Sequence, residues 1–312
     1  MNEKFTQGYA LLVGVGGNLP NTKTDAVGLA ELLMDEGRCA YPAAQVNVLT
    51  EAQAARANIL TALDQLAIST RPSATVIVYF SGHGCQVASP GGERYYLLPH
   101  GYDVNALEQT AISGAEFVQK LRAIPAQKLL LLLDCCHAGG LSDSKAPGFN
   151  AANAPLPPEA LGFLRQGRGR VVIASSTANE LSFAGRPYSA FTLALIEELC
   201  GAGGAKQDGY ARVADLAPHA REKVPQRTDN RQHPILHYEQ ADNFIVAFYA
   251  AGDVQPKGLP FATPPEIEPT PGAWRQTMFD QRGQSVGTQT NIGNASGPVF
   301  SGNFPGTINF GK

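Results

Sequence analysis

Two short stretches carry residues able to do covalent chemistry: "YFSGHG" at 79–84 and "LLLLLDCCHAGG" at 129–140. The first places His83 between two glycines. The second runs from five leucines through Asp134 into Cys135, Cys136 and His137. A thiolate is the nucleophilic form of cysteine, and a paired imidazole lowers the thiol pKa enough to populate it near neutral pH. Gly82 and Gly84 leave the backbone beside His83 open to close approach. The N–H groups of Gly84 and Cys136 are candidates for an oxyanion hole. Side chains alternate along a strand, so Asp134 and Cys136 fall on one side and Cys135 on the other.

Reactive groups of an open parallel sheet collect at the carboxyl ends of its strands, and the surrounding sequence reads as such a sheet. Apolar runs at 9–15, 45–50, 74–84, 128–134 and 170–176 are expected strands, the third passing into a glycine loop. Helical patterns lie between them at 25–37 (closed by Gly37), 54–68, 113–124 and 189–201. Ser113 with Glu116 three residues later forms a capping-box pattern. Strands that are apolar throughout, separated by amphipathic helices, indicate an α/β fold with a mainly parallel central sheet sandwiched by helices.

A Pro-, Gly- and Asn-rich loop at 142–169 divides a first half, about 1–145, from a second at 170–250. Residues 251–282 read as a proline-rich linker, with six prolines between Pro256 and Pro271. The remainder, 283–312, is a Gly/Asn-rich tail with no acidic residue and short β-compatible segments.

Charged residues are 16% of the chain and the net charge is -3, which gives no global attraction to nucleic acid or acidic membranes. No apolar run approaches the roughly 20 residues that span a bilayer. The first apolar run is shorter than a signal-peptide core of roughly 7–15 residues. Five cysteines in a chain too large to need disulfides fit a reducing compartment. A cytoplasmic location is therefore expected.

No cofactor or metal is expected. Adjacent Cys-Cys-His cannot easily converge on one tetrahedral zinc. "GVGGN" at 14–18 lacks the full dinucleotide-binding pattern. Neither an EF-hand loop nor a dense carboxylate cluster suggests calcium, although calcium activation stays open.

"YALLVGVG", "TDAVGLAELL", "VIVYFSGHG", "LLLLLDCCHAGG" and "RVVIASSTANELSF…YSAFTLALIEEL" together resemble the caspase-like cysteine peptidases, in particular their bacterial and metacaspase branch. The family order, histidine roughly fifty residues before the cysteine, is met by His83 and Cys136. "DCCHAGG" departs from the animal caspases, and Ala138 stands where the commonest metacaspase form has serine.

The resemblance implies a caspase-like (caspase–hemoglobinase) fold over about 1–250. It implies a cysteine endopeptidase with Cys136, the cysteine directly before His137, as nucleophile and His83 as its partner. It also implies cleavage after Arg or Lys, with Asp134 and Asp25 as acids of the substrate pocket, Asp25 being placed at the opening of the first helix. Regulated proteolysis, as in stress responses or antiphage cell death, is the expected setting. Protein or peptide substrates are the expected partners, with no nucleic acid or membrane among them. Self-cleavage is expected in the long loop, at Arg165 or Arg168 before Arg170, which abuts the next strand. The rival reading is a catalytically silent caspase-like module that binds a regulatory ligand or protein through its tail.

Overall fold

The computed structural model describes residues 3–89, 92–136, 151–153, 169–177, 180–202, 207–237, 243–262 and 265–269. His137, Arg165, Arg168 and the tail 283–312 lie outside them. The first half contributes β1 (Gly8–Gly14), α1 (Pro20–Met34), β2 (Val46–Thr50), α2 (Arg56–Ser69), β3 (Thr75–Ser89), β4 (Gly92–Leu98), α3 (Leu107–Thr110), β5 (Ile112–Ser113), α4 (Gly114–Ala123) and β6 (Lys128–Cys136). After it come β7 (Ala151–Asn153), β8 (Arg170–Ala174), β9 (Gly185–Arg186), α5 (Ala190–Leu199), β10 (Tyr210–Arg212), α6 (Val213–Arg227), β11 (Ile235–His237), β12 (Ile245–Phe248) and β13 (Glu266–Ile267).

The main sheet has the order β11-β8-β6-β3-β1-β2. Strands β2, β1, β3, β6 and β8 run parallel, and β11 closes one edge antiparallel. The leucine run shows how both faces are covered. Leu130 and Leu132 pack in one core with residues of α1, α5 and α6. Leu129, Leu131, Leu133 and Cys135 pack in the other with residues of α2 and α4. All five leucines are at most 2% exposed, and burial of each contributes roughly 1.5–3 kcal/mol.

Two elements differ from the expectation, and a third, α6, had none. Strand β3 does not end in a glycine loop at 84. It continues to Ser89 and turns back as β4, with His83 in register with Leu98 and Gly84 with Leu97. Flanking glycines tolerate extended backbone as readily as a turn. Helix α1 begins at Pro20, whose fixed φ suits a first helical position, so Asp25 lies in its second turn and does not open it. Helix α6 contains Pro218 and Pro225. Its buried Val213, Leu216, Ala217, Ala220 and Val224 follow helical spacing, and that apolar stripe outweighs the prolines. The Ser113 cap is present, its Oγ accepting from Glu116 N at 3.2 Å. The Glu116 carboxylate binds Arg56 at 2.7 and 2.8 Å.

Leu131→Ala is expected to cost about 2–5 kcal/mol of stability, read from urea unfolding. A loss below about 1 kcal/mol, ordinary for surface sites, would place Leu131 outside the tightly packed centre.

Candidate active site

Strands β3 and β6 pair in parallel from Thr75↔Lys128 through to His83↔Cys136. The last partnership sets the positions of His83 and Cys136 directly opposite each other, about 5 Å apart between strands. The His83 ring is 2% exposed, and its Nε2 lies 3.3 Å from Asn18 Oδ1. Asn18 comes from the turn after β1, where Gly16 and Gly17 take φ of 70° and 65°. That stretch drew attention in the sequence only as an incomplete nucleotide motif. Its contribution here is a side chain against the histidine.

The other thiols are poor nucleophiles. Cys39, Cys85, Cys135 and Cys200 are free and buried. Burial pushes Cys85, Cys135 and Cys200 up to about 12, and Cys39 well above its ordinary value. Cys135 sits against Tyr95, whose hydroxyl is 3.8 Å from its sulfur. Cys135 packs with Leu131 and Leu133, on the side away from Asp134 that alternation gave it.

Asp134 lies on the face opposite Cys135 and is 0% exposed. Its carboxylate accepts from Ser182 Oγ at 2.7 Å and Ser189 Oγ at 2.9 Å. Asp25 is 1% exposed and accepts from the Ser189 N–H at 2.8 Å. Ser189 is also the N-cap of α5, its Oγ accepting from Thr192 N at 3.2 Å. One serine thus joins an acid from β6, an acid from α1 and the positive end of a helix, which favours negative charge. The fold still holds both carboxyls above their ordinary range. For Asp25 the cause is burial first and the Asp134 charge second, opposed by Ser189. For Asp134 it is burial, opposed by the hydroxyls of Ser182, Ser189, Ser175 and Tyr79. Gly28, one turn after Asp25, allows the close approach of this serine's loop. A Cβ there would meet the Tyr188 ring at 2.1 Å.

The loop carrying Ser182 and Ser189 is clamped from the segment before β11, which the sequence reading passed over. Gln232 is 0% exposed. Its Nε2 donates to Ser175 O at 2.9 Å and Ser182 Oγ at 3.1 Å, and its Oε1 accepts from Phe183 N at 2.9 Å. Glu180 accepts from His233 N at 2.8 Å and faces the His233 ring. Arg231 stacks over Phe183 at 4.8 Å. The only sequence signal was a polar run, "DNRQH", directly before a short apolar strand. His100 and His219 serve packing: His100 Nδ1 lies 3.2 Å from Val15 O, and His219 lies between Glu197 and Glu198.

Arg170 is the first residue of β8, and its guanidinium reaches Ile124 O at 3.0 Å. Among the described residues no group of three His, Cys, Asp or Glu side chains could hold a metal ion. Among them, too, no helix is long and apolar enough to cross a membrane.

Comparison with known proteins places this geometry in a lineage. A solved structure of a protein from Geobacter sulfurreducens, GSU0716, superposes with a TM-score of 0.51 at 17% identity. The match covers 80% of this chain and 99% of that one, and it speaks for the fold alone. No curated protein matches the chain. The family model described as "Caspase domain", of a peptidase family, matches residues 7–245, which is most of the chain. With that match over the sheet and both candidate strand ends, the chain belongs to the caspase-domain family of cysteine peptidases.

Proposed function

We propose that this chain is a cysteine endopeptidase that cuts after Arg or Lys, with Cys136 as nucleophile and His83 as its acid–base partner. The observation that carries the reading is the register His83↔Cys136 at the end of β6. Burial of the other four cysteines supports it by elimination. The alternation followed by Leu130 to Cys135, continued one residue, supports placing Cys136 on the face of Asp134. The Cys136 sulfur attacks the scissile carbonyl and forms a C–S bond, and the carbonyl oxygen takes the negative charge. Backbone N–H groups of Gly84 and Cys136 are assigned to that oxyanion. His83 delivers the thiol's proton to the departing amine, leaving an acyl-enzyme that water then hydrolyses.

The basic preference rests on Asp25 and Asp134. Two carboxylates offer a guanidinium charge-assisted, bidentate hydrogen bonds and repel an aspartate. The setting we assign is regulated proteolysis, such as a stress response or antiphage cell death. The buried free thiols support a reducing compartment, the cytoplasm. The domain division at about 250 and a regulatory binding role for 283–312 belong to the same proposal.

Cys136→Ala is expected to abolish cleavage of a fluorogenic Arg peptide, and Cys135→Ala to retain most of it. An irreversible thiol-directed Arg peptide should label Cys136 alone, as located by mass spectrometry. Swapped results would reassign the nucleophile.

Asp25→Asn is expected to lower kcat/KM for Arg peptides about 10–100-fold, the scale of one hydrogen bond to a charged group. Its effect on stability has the opposite sign. A raised folded pKa means that folding takes up a proton. The acid's contribution to stability is complete below about pH 4, its unfolded pKa, and is lost as pH rises through the folded value. Asp25→Asn should therefore melt above the wild type near neutral pH and lose less stability on going up from about pH 4. Full activity on Arg peptides in both Asp25→Asn and Asp134→Asn would remove the basic-pocket assignment.

Self-cleavage is expected at Arg165 or Arg168 and not at Arg170, which is built into β8. Mass spectrometry of incubated protein reads the fragment ends. Persistence of the same cut in Arg165→Gln/Arg168→Gln would exclude both sites.

A further inference from the structure

Residues 265–269, within the stretch read as a proline-rich linker, pair with the loop that holds the acid pair. Strand β13 pairs antiparallel with β9, Glu266 opposite Arg186 and Ile267 opposite Gly185. Glu268 extends the pairing: its N–H donates to Ala184 O at 3.0 Å, and its carboxylate accepts from Ala184 N at 3.1 Å. It is 3% exposed. Arg231 donates to Pro269 O at 2.7 Å, and Phe261 meets the Tyr188 ring edge-on at 5.6 Å. Gly185 permits the approach, since a Cβ there would lie 2.7 Å from Ile267 Cδ1 and 3.0 Å from Glu266 O. Every one of these loop contacts falls between Ala184 and Tyr188, within the span bounded by Ser182 and Ser189.

An extended peptide binds most simply by adding a strand to an exposed edge, where backbone groups give affinity and side-chain pockets give selectivity. The edge next to the acid pair is that of β9, and this chain already occupies it. The occupant, Glu266–Glu268, holds two glutamates, and no Lys or Arg occurs in it or in the surrounding sequence "FATPPEIEPTPG" at 261–272. It can pair as a peptide would without presenting the cation that the acid pair selects. We propose that Glu266–Glu268 is a resident internal ligand of the β9 edge, a non-cleavable stand-in that an extended peptide substrate must displace. The inference rests on the peptidase reading above for the class of ligand. A site filled in part by its own chain lowers apparent affinity in proportion to the vacant fraction.

The test uses the full chain carrying Cys136→Ala, so that binding is read without turnover. Two further variants are compared with it: Ile267→Asp, and Glu268→Ala, which leaves the packing of Ile267 in place. Thermal melts confirm folding. Fluorescence anisotropy follows a labelled 261–272 peptide and an unlabelled Arg-containing competitor. The labelled peptide should bind the variants at least about tenfold more tightly than the parent, and the Arg peptide should displace it. Equal binding to parent and variants, or binding that the Arg peptide leaves undisturbed, would overturn the proposal. Failure of the peptidase reading shows separately, as absent cleavage by the chain with Cys136 intact.

Discussion

Two buried carboxyl groups are the constraint around which the loop 180–189 is arranged. Asp25 and Asp134 arrive from a helix and a strand far apart in the chain, and both are essentially inaccessible. Burying such groups costs several kcal/mol unless they are hydrogen-bonded or protonated. Here both remedies operate. Ser182 and Ser189 donate to them, and burial shifts both toward the protonated form. The serines must then be held, which accounts for a fully buried glutamine behind the loop and for a helix cap made by the serine that touches both acids.

The same strand that delivers the acid delivers the cysteines, and alternation sorts them. Leu131, Leu133 and Cys135 are committed to one core, Leu130 and Leu132 to the other. Slipping β6 by one residue would turn every one of these side chains to the wrong face. The leucines therefore hold register as well as supply burial, and register is what brings position 136 opposite position 83. Core packing and the meeting of positions 83 and 136 are thus coupled through a few residues of one strand.

Beyond β3 and β6, the second half contributes a loop more than a surface. Residues 180–189 have little regular structure of their own. They are positioned by Gln232, His233 and Arg231 on one side, by Asp25 and Asp134 on another, and by β13 along the edge. A loop held through side chains from several separate segments keeps a defined shape without a sheet of its own.

The fold class, the five parallel strands and the helices between them were legible in the sequence because burial on both faces leaves a continuous apolar signature. The Ser113 cap and the placing of Cys135 and Asp134 on opposite faces followed from local patterns of one to four residues. The helix with two prolines, 213–227, was given no element in the sequence, since prolines inside a segment weaken its helical signal. The extension of β3 escaped because flanking glycines read equally as loop. What no local pattern could reveal was the set of long-range polar bonds: Asn18 with His83, Ser189 with Asp25, Gln232 with Ser182, Glu268 with Ala184. Each joins residues at least 50 positions apart. Hydrophobic pattern repeats within an element and so is written along the chain. A hydrogen bond between single side chains has no period, and only the folded chain decides which of them meet.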